Sequence, residues 1–174
     1  MATVATTPFP NGWGGGSSHP EDYEIRLDRS VAHGGEASVR IRSIVDEPQD
    51  FATLTQGFQA SDYLGQRLRL SGFVRAEHVE GWVGMWMRVD PRAGNVQHFD
   101  NMQNRPIQGT QDWQRYQIVL DVPLDSNLIY FGVLLHGKGT VWIDDFQLEV
   151  VGEDVPTTGK PPLPRQPVNL NFEE

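Results

Sequence analysis

Short segments of alternating apolar and polar residues, each closed by Gly, Pro, Asn or Asp, recur from residue 22 to residue 151, and helical signals are nearly absent. A period of two with frequent turn residues restricts the chain to antiparallel β-structure. The pattern predicts strands over 22–27, 36–43, 51–58, 66–77, 82–90, 95–100, 113–122, 128–136 and 139–151. Strands in such number and spacing suit a sandwich or barrel. "HGKGT" at 136–140 predicts a tight hairpin between the last two strands. "DNMQNRPIQGTQD" at 100–112 predicts the longest loop inside the domain, where function often resides. Residues 1–19 then form an N-terminal arm, 20–151 the sandwich, and 152–174 a proline-rich tail ending in the apolar alternation "VNLNFEE". That terminal segment is expected to dock as an added strand, in its own molecule or in a symmetric homodimer.

At 174 residues the chain suits one domain, and it has no cysteine for disulfides or thiolate metal sites. Lys and Arg number 14 against 23 Asp and Glu, a formal charge of −9. Binding to nucleic acid rests on neutralising phosphates, so an acidic chain without a basic cluster argues against that partner. No run is apolar enough for a membrane span, and "MATVATTPFP" carries no secretory pattern, so a cytoplasmic location is expected. No phosphate loop, nucleophile elbow or organic-cofactor motif occurs. A neutral or cationic small molecule, a sugar or another protein remains as partner.

The segment "GWVGMWMRVD", 81–90, has two unlike faces. Val83, Met85, Met87 and Val89 make one apolar face, expected in the core. Trp82, Gly84, Trp86, Arg88 and Asp90 make the other, which is neither plainly wet nor plainly dry. The same parity in 128–136 places Ile129, Phe131, Val133 and Leu135 inward, with Tyr130, Leu134 and His136 opposite. In 113–122, Tyr116, Ile118, Leu120 and Val122 fall inward.

The stretch "GFQASDYLGQRLRLSGFVRAE" (57–77), the strand at 82–90 and the closing "GTVWIDDFQLEVV" (139–151) resemble the galactose-binding-like jelly roll of carbohydrate-binding modules. "FDNMQNRPIQGTQDWQRYQIVLDVP" is similar to a group of free-standing bacterial proteins of this fold. The resemblance implies an all-β jelly-roll sandwich of two antiparallel sheets with eight or nine strands, and a structural calcium. Such modules begin with an Asn-x-x-Phe-Glu strand. Here that pattern stands at the far end, as Asn169, Leu170, Asn171, Phe172 and Glu173.

These readings lead to a small-molecule or carbohydrate-binding protein using a cleft on the outer face of one sheet. Rings stack on sugar C–H faces, a role for Trp82, Trp86 and Tyr130; polar groups pair with hydroxyls, a role for Arg88 and His136. Asn101 and Arg105, in the long loop, would close over the cleft or pin the loop to Asp100 or Asp112. The alternative is a small-molecule enzyme of cyclase, isomerase, lyase or hydrolase type, using His98, Asp90 and Asp100 as acid–base groups in the same cleft. A third reading is assembly through the tail. Asp144 falls on the parity of Trp142, Phe146, Leu148 and Val150, so its charge needs calcium, with Asp28 as co-ligand, or the N–H groups of a nearby turn.

Overall fold

The computed structural model describes residues 9–94, 97–159 and 166–173. Among them the chain forms nine strands and no helix: β1 (Gly14–Ser17), β2 (Tyr23–Asp28), β3 (Ser38–Ser43), β4 (Phe51–Gln59), β5 (Arg67–Pro91), β6 (His98–Asp100), β7 (Ile107–Asp121), β8 (Ser126–His136) and β9 (Thr140–Val151). All pairings are antiparallel. The sandwich is one hydrogen-bonded surface folded on itself. Its hinge is β5, which the sequence pattern divides into two strands.

The second half of β5 pairs with β8 and β6, and β8 continues through β4 to β1, giving the first layer. The first half pairs with β7 and β9, and β9 continues through β3 to β2, giving the second. Even-numbered Leu68, Leu70, Val74 and Ala76 face the core before the corner, and odd-numbered Val83, Met85, Met87 and Val89 after it. The parity changes where pairing is irregular and His78 takes a φ of 51°.

The segment 136–140 is not the expected hairpin. It carries the chain from β8 in one layer to β9 in the other, around the β5 corner. A side chain at Gly81 would collide with the carbonyl of His136, and one at Gly139 would come within 2.7 Å of the Val79 backbone. The loop after β6 is also shorter than predicted, because β7 already begins at Ile107.

A bulge changes β9 as well. Phe73 aligns with Asp144 and Ser71 with Gln147, so β9 carries one extra residue there, with Asp145 at a φ of 51°. Ile143 faces the core, Asp144 faces out, and Phe146 and Leu148 turn back inward. The expected shared parity of Asp144 with Phe146 is therefore corrected: Asp144 is not core-facing. After β9 the tail runs beside β7. Thr158 donates its N–H to the Val119 carbonyl at 2.8 Å and accepts from the Val119 N–H at 2.9 Å, and Val119 is fully buried. Residues 169–172 form a turn rather than a strand, with Val168, Leu170 and Phe172 exposed.

Candidate functional site

The core face of 82–90 is as the alternation predicts: Val83, Met85 and Met87 are fully buried. The opposite side chains therefore lie on the outer surface of the first layer, arranged in rows by register. Trp82 aligns with His136, Gly84 with Leu134, Trp86 with Gly132, Arg88 with Tyr130 and Asp90 with Leu128. Cross-strand partners share a face, so these residues meet although they are far apart in sequence, Trp82 lying 54 positions before His136.

The indole of Trp86, half-buried, reaches from β5 across β8, and its Nε1–H donates to Thr53 Oγ1 on β4 at 2.9 Å. Thr53 is itself buried and bonds to the Val133 carbonyl at 3.2 Å, so the ring has a fixed anchor. Gly132, in register with both Trp86 and Thr55, keeps the strand bare beneath this row; a Cβ there would collide with the Leu54 carbonyl. One row further, Tyr130 lies over Gly57, with its ring carbons 2.6 Å from where a Cβ would stand. The Arg88 guanidinium sits 5.1 Å from the centre of the Tyr130 ring. Asp90 fixes it there, accepting from Arg88 Nε at 2.8 Å and Nη2 at 3.1 Å. The Tyr130 hydroxyl and Arg88 Nη1 have no partner among the described residues, and both rings are only half-buried.

At the other end Trp82 and His136 stack with centroids 6.4 Å apart. Between that stack and Trp86, Gly84 lies beneath the carbonyl of Asn101 and the edge of Trp82. The Asn101 backbone thus forms the rim, while its side chain accepts from the Gln103 N–H at 3.0 Å. Phe99 aligns with Arg88 across β5–β6 and adds an exposed ring to the same row. Sequence reasoning missed it, because only the β6 register puts Phe99 rather than its neighbours on this face.

That register separates the acid–base set. His98 aligns with Val89 and Asp100 with Met87, so both lie on the side of the sheet opposite Asp90. The three do not form one cluster. Asp100 is buried and bound to Arg105, whose Nη2 lies 2.6 Å from Oδ2 and Nη1 3.2 Å from Oδ1. Burial works to raise the Asp100 carboxyl, but Arg105, Thr158 and the Met102 N–H hold it below the usual range. Arg105 also reaches the Gln117 carbonyl at 3.2 Å. Of its two expected roles the structure shows the pin: it fastens the 101–106 loop, with Met102 buried in the core.

The two carboxylates expected at a calcium ion meet hydrogen donors instead. Asp144 Oδ2 accepts from the N–H groups of His33 and Gly34, at 2.9 and 3.1 Å, and Oδ1 from Asp145 N–H at 2.8 Å. Asp28 accepts from the N–H and hydroxyl of Ser30 and from Trp142 Nε1–H, with Arg40 at 3.6 Å. No group of three His, Cys, Asp or Glu with metal-holding geometry occurs among the described residues. As arranged, Asp28 and Asp144 do not fit a calcium cage, which needs six or more oxygens turned inward.

Comparison with solved structures places this architecture. The xylan-binding domain CBM22-1 of Xyn10C from Paenibacillus barcinonensis superposes with a TM-score of 0.57 at 19% identity, over 85% of this chain and 90% of that one. The C-terminal family 22 carbohydrate-binding module of Xyn10B from Clostridium thermocellum gives 0.56 at 18%, over 84% and 89%. TmCBM61, solved with β-1,4-galactotriose, gives 0.54 at 18%, over 81% and 90%. The chain has the carbohydrate-binding-module jelly-roll fold. No family model matches the sequence of this jelly roll. It is 48% identical over 167 residues to a Bacillus subtilis (strain 168) protein named "Uncharacterized HTH-type transcriptional regulator YbfP". That match takes in 94% of this chain and 57% of the relative's length.

Proposed function

We propose that the chain binds a carbohydrate on the outer face of the first layer. The observation that carries this reading is the row arrangement there: half-buried Trp82, Trp86 and Tyr130 share one face, and Asp90 holds Arg88 beside Tyr130. A sugar ring could stack on the aromatic faces. Its hydroxyls could pair with Arg88 Nη1, the Tyr130 hydroxyl and Asp90. The likeness to modules named for xylan binding and for a galactotriose complex supports the ligand class. The separation of Asp90 from His98 and Asp100 favours binding over turnover.

The Bacillus relative supports a second reading, in which this domain senses the ligand for a regulator. With a net charge of −9 and no helix among the described residues, its part would be ligand recognition and not DNA contact. The exposed Val168, Leu170 and Phe172 would then be the means of pairing with a second chain.

Affinity electrophoresis through gels containing xylan, β-1,4-galactan or other soluble glycans tests the proposal, followed by calorimetry with the matching oligosaccharides. The wild type should be retarded by at least one glycan and return it chemically unchanged. Trp86→Ala and Tyr130→Ala should each abolish retardation. Trp86→Ala should also cost about 1–3 kcal/mol of stability, because it leaves the buried Thr53 hydroxyl short of a partner. Free migration of the wild type on every glycan, or equal retardation of both variants, would refute it.

A further inference from the structure

The two layers do not meet along their whole length. A cleft of about 650 Å³ opens between β4 and β9, lined chiefly by side chains at inward-facing positions, with Asp144 and Asp145 at its rim. Protein interiors pack like organic crystals, so a gap of this size is not ordinary core. Its wall is a chain of rings: Tyr63 meets Phe58 at 5.6 Å, Phe58 meets Phe131 at 6.0 Å, and Trp13 meets Phe131 at 5.2 Å and Phe146 at 5.4 Å. Trp13 comes from the segment leading into β1, and Phe146 faces this way because of the β9 bulge.

The rim supplies the second observation. Asp144 and Asp145 line the cleft, and among the described residues no Lys, Arg or His side chain does. Asp144 is satisfied by backbone N–H groups, but Asp145 is half-exposed, and its Oδ2 is bonded to His33 Nδ1 at 2.7 Å. Ring faces are the negative end of the aromatic quadrupole, and a carboxylate beside them adds a full charge. This combination repels anions and favours a cation with an apolar body.

We propose that the cleft is a ligand site for a compact organic cation, an alkyl- or arylammonium. Its apolar body lies along Trp13, Phe131 and Phe146, and its nitrogen faces Asp145. The site is independent of the carbohydrate reading. Tyr130 and Phe131 are consecutive in β8 and point to opposite sides of the first layer, so the two surfaces stand back to back.

Benzyltrimethylammonium and its uncharged carbon isostere neopentylbenzene test this on the full chain, by tryptophan fluorescence and saturation-transfer NMR. The cation should bind saturably and the isostere about tenfold or more weakly. Asp145→Asn and Phe146→Leu should each weaken the cation about fivefold, the worth of one partly desolvated contact. Asn tolerates positive φ, so the first variant keeps the bulge, and melting curves confirm that both variants fold. Trp86→Ala, on the other side of the layer, should bind the cation as the wild type does. Equal affinity for the two isosteres, absence of saturable binding up to millimolar concentration, wild-type affinity in both cleft variants, or loss of cation binding in folded Trp86→Ala would each overturn the proposal.

Discussion

Replacing Asp28 with asparagine should remove a defined, pH-dependent share of the stability. Burial works to raise the Asp28 carboxyl, but the Ser30 hydroxyl, the Trp142 indole N–H, the Ser30 amide and the Arg40 charge outweigh it, and the net value falls from 3.8 to about 2. The folded state therefore favours the ionised form, by about 2 kcal/mol at roughly 1.4 kcal/mol per pKa unit. A depressed carboxyl stabilises the fold above its unfolded value, near 4, and the gain disappears as pH falls through about 2. Urea unfolding from pH 7 down to pH 2 measures it. Asp28→Asn should be less stable by about 2 kcal/mol at pH 7, plus about 1 kcal/mol for a hydrogen bond that the amide cannot accept. Most of the first part should vanish by pH 2. Arg40 also binds Glu24 at 2.8 Å, so the Glu24→Gln profile must be subtracted to isolate Asp28. A constant gap between wild type and Asp28→Asn from pH 7 to pH 2 would refute the reasoning.

Met87 is fully buried between the layers, so Met87→Ala should lower the urea-unfolding free energy by about 2–5 kcal/mol. Arg105→Ala strands a buried carboxylate and should cost about 3–5 kcal/mol; faster amide exchange at Asn101–Asn104, with weaker glycan binding by an indirect route, would show that the loop shapes the rim. Truncation after Val151 removes the Thr158 bonds to Val119 and the Glu153 and Val155 carbonyls that receive Arg67. Its melting temperature should fall, and an unchanged value would mean that the tail is only a linker; light scattering on the same protein reads whether the tail also pairs chains.

Side-chain alternation is a local property, and the sequence shows it wherever a strand stays regular. The burial of Val83, Met85, Met87 and Val89, and of Ile129, Val133 and Leu135, follows from a period of two. It fails where one residue is inserted. The irregularity at His78 reverses parity along β5, and the extra residue at Asp145 reverses it along β9, so Asp144 faces turn amides instead of the core. Positive φ is open to aspartate and less often to histidine, and neither type announces it in a sequence. The supposed 136–140 hairpin fails for another reason. A Gly-rich turn between two strands looks the same whether the strands pair or lie on either side of a third.

The candidate site shows the same division more sharply. Parity alone puts Trp82, Trp86, Arg88 and Asp90 on one face, and separately Tyr130 with His136. Their meeting depends on the β5–β8 register, a relation between segments far apart in sequence, set by the loops and the packed faces behind them. The β6 register then decides against the acid–base set, because a slip of one residue would bring His98 and Asp100 to Asp90's side and take Phe99 away. The surface that results has rings on three adjacent strands and a guanidinium already held by a carboxylate. On the proposed reading, such a surface gives affinity through shape and stacking. General acid–base chemistry requires a proton-transfer group poised beside a substrate; on this face Asp90 already accepts two bonds from Arg88, and His136 stands at the far end, stacked on Trp82.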